Sequence, residues 1–415
     1  MKREQLLSEP VEEKFLRYVK IDSASDDHES KIPSSEGQWQ LLRLLQEELL
    51  TMGVSRTELT ETGILLAELP GWAGSPVVGF IAHVDTAPQV PGNGVQPLIH
   101  RNYQGGEIRL PAGPVISPRT CPALSRVIGH DLITSDGRTL LGADDKAGVA
   151  AIMAAVARWL ADPGLARPNL RVVFTPDEET GRGIHTLDLQ RLGADLAYTV
   201  DGSEAGEIEA ENFNAENLLV RIAGVSAHTG NARGRMVNAV HLAAEFVQGI
   251  PAGLRAETTD GDYGFIHPNE IKGNPEEVII QLLLRDFEVE KVQYYRRLLA
   301  QAGELLMAKY PGARITMEKT GGYANMRAEV AADPRIVQMA VRAMQQLGIE
   351  PVLKKIRGGT DGAVLTAKGL PTPNLFTGGV NFHSRTEWLS VTWLRQATEV
   401  LVVLGELWSR EKRQE

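Results

Sequence analysis

The stretch Pro76-Val77-Val78-Gly79-Phe80-Ile81-Ala82-His83-Val84-Asp85-Thr86 decides how this chain is read. Its first part, PVVGFIA, is apolar without alternation, as in a strand covered on both faces. Polar residues follow at once. His83 and Asp85 stand two apart, and side chains two apart share one face of a strand. An imidazole and a carboxylate on one face suit a metal ligand and the acid that orients it. Taken alone, the same pair is an ordinary half-buried histidine beside an aspartate.

The pattern repeats on either side. Residues 170–175 (LRVVFT) form a second apolar strand, followed by PDEETG with Glu178 and Glu179. A third strand over 194–200 leads to Asp201-Gly202. Gly142-Ala143-Asp144-Asp145 opens an alanine-rich helix over 146–160. Residues 131–135 and 139–141 flank Asp136-Gly137 and read as a hairpin. Helices are expected over 11–18 and 36–50, and a strand over 64–69. Short apolar strands alternating with helices predict an α/β fold, a mixed sheet with helices on both faces. In such sheets ligands bind beyond the carboxyl ends of the strands.

The rhythm changes after about residue 212. Strands over 217–223, 265–272, 278–287 and 313–319, with helices over 237–250 and 288–310, give the order β-α-β-β-α-β. That is a split, ferredoxin-like α+β unit. The reading is one domain formed by 1–212 and 326–415, interrupted by a separate, smaller inserted domain over 213–325. The last part holds a helix over 335–347, RGGTDG at 357–362, a strand through Leu375-Phe376 and a helix over 391–408.

Composition narrows the function classes. The 415 residues carry a net charge of -10, which argues against nucleic acid or an anionic membrane as partner. A single cysteine, Cys121, excludes an intrachain disulfide, a cysteine-rich zinc site and an iron–sulfur cluster. It has no base motif nearby to make it a nucleophile. The N-terminal MKREQLLSEPVEEKFLRYVKI lacks the continuous apolar core of a signal peptide. The longest apolar runs are about half the ~20 residues a membrane span needs. A cytoplasmic protein is expected. RGGTDG lacks the Lys-Ser/Thr of a phosphate-binding loop.

Each strand-end motif has a plain reading of its own. Asp144 or Asp145 can simply cap a helix. Glu178 and Glu179 can be a solvated acidic loop. Asp201, and His383 in NFHSRTEW, are weak singly. Together they offer two nitrogens and several carboxylate oxygens without cysteine, a set suited to zinc, cobalt or manganese. One carboxylate can then bridge two ions about 3.5–4 Å apart.

In this order the motifs IAHVDTAP, LITSDGRTLLGADDKAGVA, FTPDEETGRG, YTVDG, MVNA, LLLRDF, IRGGTDGA and LPTPNLFTGG-NFH resemble a two-zinc metallopeptidase superfamily. It includes the glutamate carboxypeptidases, succinyl-diaminopimelate desuccinylase and the tripeptide aminopeptidases. The resemblance runs over nearly the whole chain. It implies a zinc exopeptidase-like fold and an aminopeptidase acting on tripeptides with two zinc ions per chain. It places His83 and Asp201 on one ion, Glu179 and His383 on the other, and Asp144 between them. Asp85 orients His83, Glu178 is the general base, and a cis peptide follows Asp144. His228, Arg285, Asn325 and Arg357 are implied to hold the peptide. This chain has Thr229 after His228 where the family pattern has proline. Dipeptidase, carboxypeptidase and N-acyl amino acid deacylase activities share these motifs, and a non-catalytic peptide-binding protein is a reading from another class. The resemblance also implies that 213–325 is a lid or dimerisation domain interrupting the catalytic domain, with a homodimer through it as a further implication. His28, His100, His130, His185, His241 and His267 lack matching neighbours and are read as structural or exposed.

Overall fold

The strand anticipated from PVVGFIA is β1 (Val77–His83), buried along its whole length. It belongs to a computed structural model that describes residues 1–413. The alanine-rich stretch is α1 (Ala143–Ala161). Residues LRVVFT lie in β2 (Asn169–Thr175), and the third strand is β3 (Leu196–Gly202). β1 lies between β2 and β3 and runs parallel to both. Asn374–Phe376 is parallel to β3 on its other side. Strands 65–69 and 207–212 join the two edges antiparallel, and 56–59 and 352–356 lie outside them, giving eight in the order 56–59, 65–69, β2, β1, β3, 374–376, 207–212 and 352–356. The sheet is mixed, as its sequence pattern required. Its four parallel strands point their carboxyl ends the same way.

α1 is apolar almost all round and is buried along nearly its whole length, as such a helix must be. Alanine lets it lie close to the strands beneath. A Cβ at Gly148 would stand 1.8 Å from the Val200 carbonyl oxygen and 2.4 Å from Asp145 Oδ1, so only glycine fits there. At the far end of α1, Trp159 stacks on Phe80 with ring centres 6.2 Å apart. Tyr198 meets the same phenylalanine at 6.1 Å, and its hydroxyl donates to the Ile336 carbonyl and accepts from Trp408 Nε1. Full burial of rings like these contributes about 1.5–3 kcal/mol each.

The hairpin expected over 131–141 does not form. Leu132–Thr134 pairs instead with Leu98–His100 and Trp388–Ser390. Ser135 Oγ accepts the Gly137 N–H and donates to the Thr139 carbonyl, which closes the Asp136-Gly137 turn without a second strand. Trp388–Ser390 also pairs with Gly379–Val380, and the loop between them carries His383.

The chain divides into two compact units, one of 1–210, 326–354 and 360–415 and the other of 211–325 and 355–359. The second unit holds β4 (Asn214–Ala223), α2 (Ala239–Gln248), β5 (Phe265–Gly273), β6 (Glu277–Asp286), α3 (Val289–Lys309) and β7 (Arg314–Tyr323). Its sheet runs β5-β6-β4-β7, all antiparallel. The ferredoxin-like order is therefore present, with a core of its own around Val220, Phe246, Ile280 and Leu299. Residues 355–359 join this unit, a return of the chain that no local pattern announces. Among the described residues no helix is long and apolar enough to cross a membrane.

Candidate metal centre

The parallel strands deliver their terminal residues to one place. His83 ends β1 and Asp201 lies near the end of β3. The turn after β2 carries Glu178 and Glu179, and the start of α1 carries Asp144. The first unit brings these together with Asp85 and His383.

Two groups of donors share one member. His83, Asp144 and Asp201 form the first, and Asp144, Glu179 and His383 the second. Asp144 Oδ1 lies 2.9 Å from His83 Nε2, and its Oδ2 lies 3.1 Å from His383 Nε2. Asp201 Oδ1 is 3.5 Å from His83 Nε2, and Glu179 Oε1 is 2.9 Å from His383 Nε2. Donors held at about 2.0–2.2 Å around a tetrahedral ion stand roughly 3.3–3.6 Å apart. Glu179 Oε1 is buried and, despite its nearness to His383, makes no well-directed hydrogen bond. The donor chemistry fits a pair of divalent ions that share Asp144, with donor separations at or a few tenths of an ångström below that spacing.

The electrostatics of the cluster agree. Burial pushes Glu179 and Asp201 up to about 7 each, and the Asp144 charge adds to the shift. Burial likewise raises Glu178 well above the carboxylate range and Asp361 to about 7. Burial opposes charge on His83. Even so, the Asp201 charge, the hydrogen bond to Asp144 and the close Asp85 carboxylate carry its pKa well above the usual imidazole value. The Asp144 hydrogen bond and the Glu179 carboxylate close by raise His383 to about 11. Burial would raise Asp144, but the two histidines hold it below its usual range. Carboxylates outnumber cations here, and crowded acids of this kind call for positive charge.

Most of the donors are braced from behind. Asp85 is fully buried, and one oxygen stands 3.3 Å from His83 Nδ1. The same carboxylate accepts the N–H of Glu178 at 3.0 Å and of Glu179 at 3.1 Å, so it spans both halves of the cluster. Asp145, joined to Asp144 by a cis peptide, turns the other way and accepts the N–H groups of His83 and Gly148. One aspartate caps while its neighbour faces the histidines. Asn374 Oδ1 accepts the Asp201 N–H at 3.0 Å, and Asn374 Nδ2 donates to Glu209 at 2.7 Å. Asp177 has a left-handed φ of 53° and is fully buried. It accepts from the Ser34 N–H and hydroxyl and from Gln38 Nε2, while its own N–H donates to Gln38 Oε1. His383 is also left-handed, at 55°. Non-glycine residues held this way store about 1–3 kcal/mol each and gather at functional sites.

Asp177, Asp361, Asn374 and Glu387 were not singled out from sequence. Asp361 lies inside RGGTDG and accepts from Thr175 Oγ1 at 2.6 Å. Glu387 lies four residues after His383, and burial pushes it up to about 7 against hydrogen bonds from the backbone of Asp144, Gly142 and Leu141.

His228, Arg285, Asn325 and Arg357 all fall in the second unit. His228 is exposed, and its Nδ1 accepts the Gly230 N–H at 3.2 Å, so His-Thr-Gly closes a tight turn without proline. Arg285 donates to Asn217 Oδ1 at 3.0 Å and lies over the Tyr323 ring. Asn325 Nδ2 donates to the Phe287 carbonyl. Arg357 packs over Phe213 and Phe265 and donates to the Gly261 carbonyl and Thr259 Oγ1.

Comparison with known proteins places the chain among relatives. The profile of peptidase family M20/M25/M40 matches residues 135–406. Peptidase T of Geobacillus thermodenitrificans is 44% identical over 96% of this chain and 98% of its own length. Peptidase T of Escherichia fergusonii is also 44% identical, with the same coverage. Among solved structures, aminopeptidase PepT of Bacillus cereus superposes with a TM-score of 0.74 at 25% identity, covering 99% of this chain and 100% of that one. A tripeptidase of Staphylococcus aureus gives a TM-score of 0.77 at 20% identity over 99% and 100%, a likeness of fold.

Proposed function

The chain belongs to peptidase family M20/M25/M40, and from that premise we infer that it is a metal-dependent aminopeptidase releasing the N-terminal residue of tripeptides. One observation carries the reading. A single carboxylate, Asp144, faces two histidines, and each histidine has a second carboxylate of its own. The names of the relatives, peptidase T and aminopeptidase PepT, support the substrate class.

His83, Asp144 and Asp201 would hold one zinc ion, and Asp144, Glu179 and His383 the other. Such a pair polarises the peptide carbonyl and lowers the pKa of the attacking water toward neutrality. Glu178 belongs to neither group, and its Oε2 stands 4.0 Å from His83 Nε2. In this position it takes the proton from the water and passes it to the leaving amine. Asp85 keeps His83 and the Glu178–Glu179 backbone in register with each other. We assign His228, Arg285, Asn325 and Arg357 to the peptide. An arginine gripping the C-terminal carboxylate through two hydrogen bonds would impose the length limit of a tripeptidase. The second unit then serves as lid or as dimerisation surface.

A substrate panel tests the reading. With added zinc, Ala-Ala-Ala should yield alanine and Ala-Ala. Dialanine, tetra-alanine and N-acetyl-tri-alanine should be cleaved far more slowly. Hydrolysis of the N-blocked peptide at the rate of the free one would replace the aminopeptidase reading with that of a deacylase or carboxypeptidase. Preference for dialanine would make the chain a dipeptidase.

A further inference from the structure

Glu387 is 1% exposed, and both its oxygens are committed to the backbone that presents Asp144. Oε2 accepts the N–H of Leu141 at 2.7 Å and of Gly142 at 2.8 Å, and Oε1 accepts the N–H of Asp144 at 3.0 Å. This turn is not helical. Gly142 has φ 83°, and Asp144 and Asp145 depart from helical angles before α1 settles. As at any helix start, its N–H groups have no intrahelical acceptors, and within α1 Asp145 accepts only from Gly148. Glu387 ends the loop that also carries His383, whose Nε2 lies 3.1 Å from Asp144 Oδ2. The same loop thus offers a donor to one oxygen of Asp144 and anchors the backbone behind it.

We propose that Glu387 is a positioning residue of the metal centre, holding the 141–144 turn so that Asp144 aims one oxygen at each histidine. The proposal rests on the two-metal reading above. A carboxylate is required by the count of donors. Three N–H groups converge on two oxygens, and an amide has one oxygen and an NH2 of its own. A glutamine here must give up either the Asp144 N–H or the Leu141–Gly142 pair, and set donor against donor. Partners of this kind behind a metal ligand commonly change metal affinity or activity 10–100-fold when altered.

The test uses the full chain stripped of metal and titrated with Co2+ alone. Visible absorption and equilibrium dialysis report binding in wild type, Glu387→Gln and Glu387→Asp. Leu45→Ala, a buried change in the helix Glu36–Met52, is the control for lost stability. We expect wild type and Leu45→Ala to bind two ions with one spectrum. Both Glu387 variants should bind the second ion at least about tenfold more weakly with an altered spectrum, and kcat should fall with KM nearly unchanged. Wild-type cobalt affinity and spectrum in either Glu387 variant would overturn the proposal. Should both variants fail to fold, amide exchange in the wild type decides. Protection of Leu141, Gly142 and Asp144 must rise when cobalt is added, and unchanged protection refutes the coupling. A wild type that binds no cobalt would instead remove the two-metal reading, and the proposal with it.

Discussion

Replacing Glu209 with glutamine should stabilise the chain by about 3 kcal/mol at pH 8 and by less than about 1 kcal/mol at pH 5. Glu209 accepts from Asn374 Nδ2 at 2.7 Å, which turns Asn374 Oδ1 toward the Asp201 N–H. Burial pushes the carboxyl of Glu209 from 4.5 up to about 7, against the Asn374 hydrogen bond. Between those two values the folded chain keeps a proton that the unfolded chain has lost. Stability therefore falls as pH rises through the window. A shift of about 2.5 units at about 1.4 kcal/mol each corresponds to about 3 kcal/mol, fully lost by about pH 8. Glutamine resembles the protonated acid: it carries no charge, and its Oε1 still accepts from Asn374. For a unit of about 300 residues, unfolding entropy is about 0.6 kcal/mol/K, so the gain at pH 8 is about 5 °C in Tm. Metal-free wild type and variant should be melted side by side at pH 5 and pH 8. The difference between them cancels the other buried acids that titrate near 7, Asp201 and Glu179 among them. An equal difference at both pH values, or a variant less stable at pH 8, would refute the reasoning.

Two further outcomes follow from the braces around the cluster. Asp177→Ala leaves the Ser34 N–H, the Ser34 hydroxyl and the Gln38 amide buried without their acceptor. A loss of about 3–5 kcal/mol in denaturant titrations is expected, with kcat down at least about tenfold, since the same turn carries Glu178 and Glu179. Wild-type kcat in that variant would show that the turn is held elsewhere. Metal analysis separates the two donor groups: His383→Ala should retain close to one ion per chain, whereas Asp144→Ala should retain almost none, and two ions in His383→Ala would contradict the division.

Much of the site was legible because its donors sit where strands end. His83 and Asp85 follow β1, Glu178 and Glu179 follow β2, and Asp201 lies near the end of β3. Apolar runs bounded by acids and histidines are visible in one dimension. Only the resemblance singled out Asp144 from Asp145; the residues themselves left either free to cap, because which one caps depends on the backbone turn at Gly142. Glu387, Asp177 and Asn374 escaped because their partners are far away in the chain. Glu387 serves residues some 240 positions earlier, and a lone acid after a histidine carries no local sign of that. The expected hairpin over 131–141 failed for the same reason. Asp136-Gly137 is a real turn, but Leu132–Thr134 finds its partners at 98–100 and 388–390. The strand 352–356 drew no reading from sequence: it is largely exposed, and VLKKI shows no alternation of apolar and polar residues.

The central claim is that two ions share Asp144 while Glu178 moves the proton. Glu178→Gln, purified, loaded with zinc and examined for metal content and tripeptide turnover in one preparation, tests both halves. The account predicts two ions per chain, as in wild type, with kcat reduced by about 10²–10⁴-fold. Two bound ions together with undiminished turnover would contradict it.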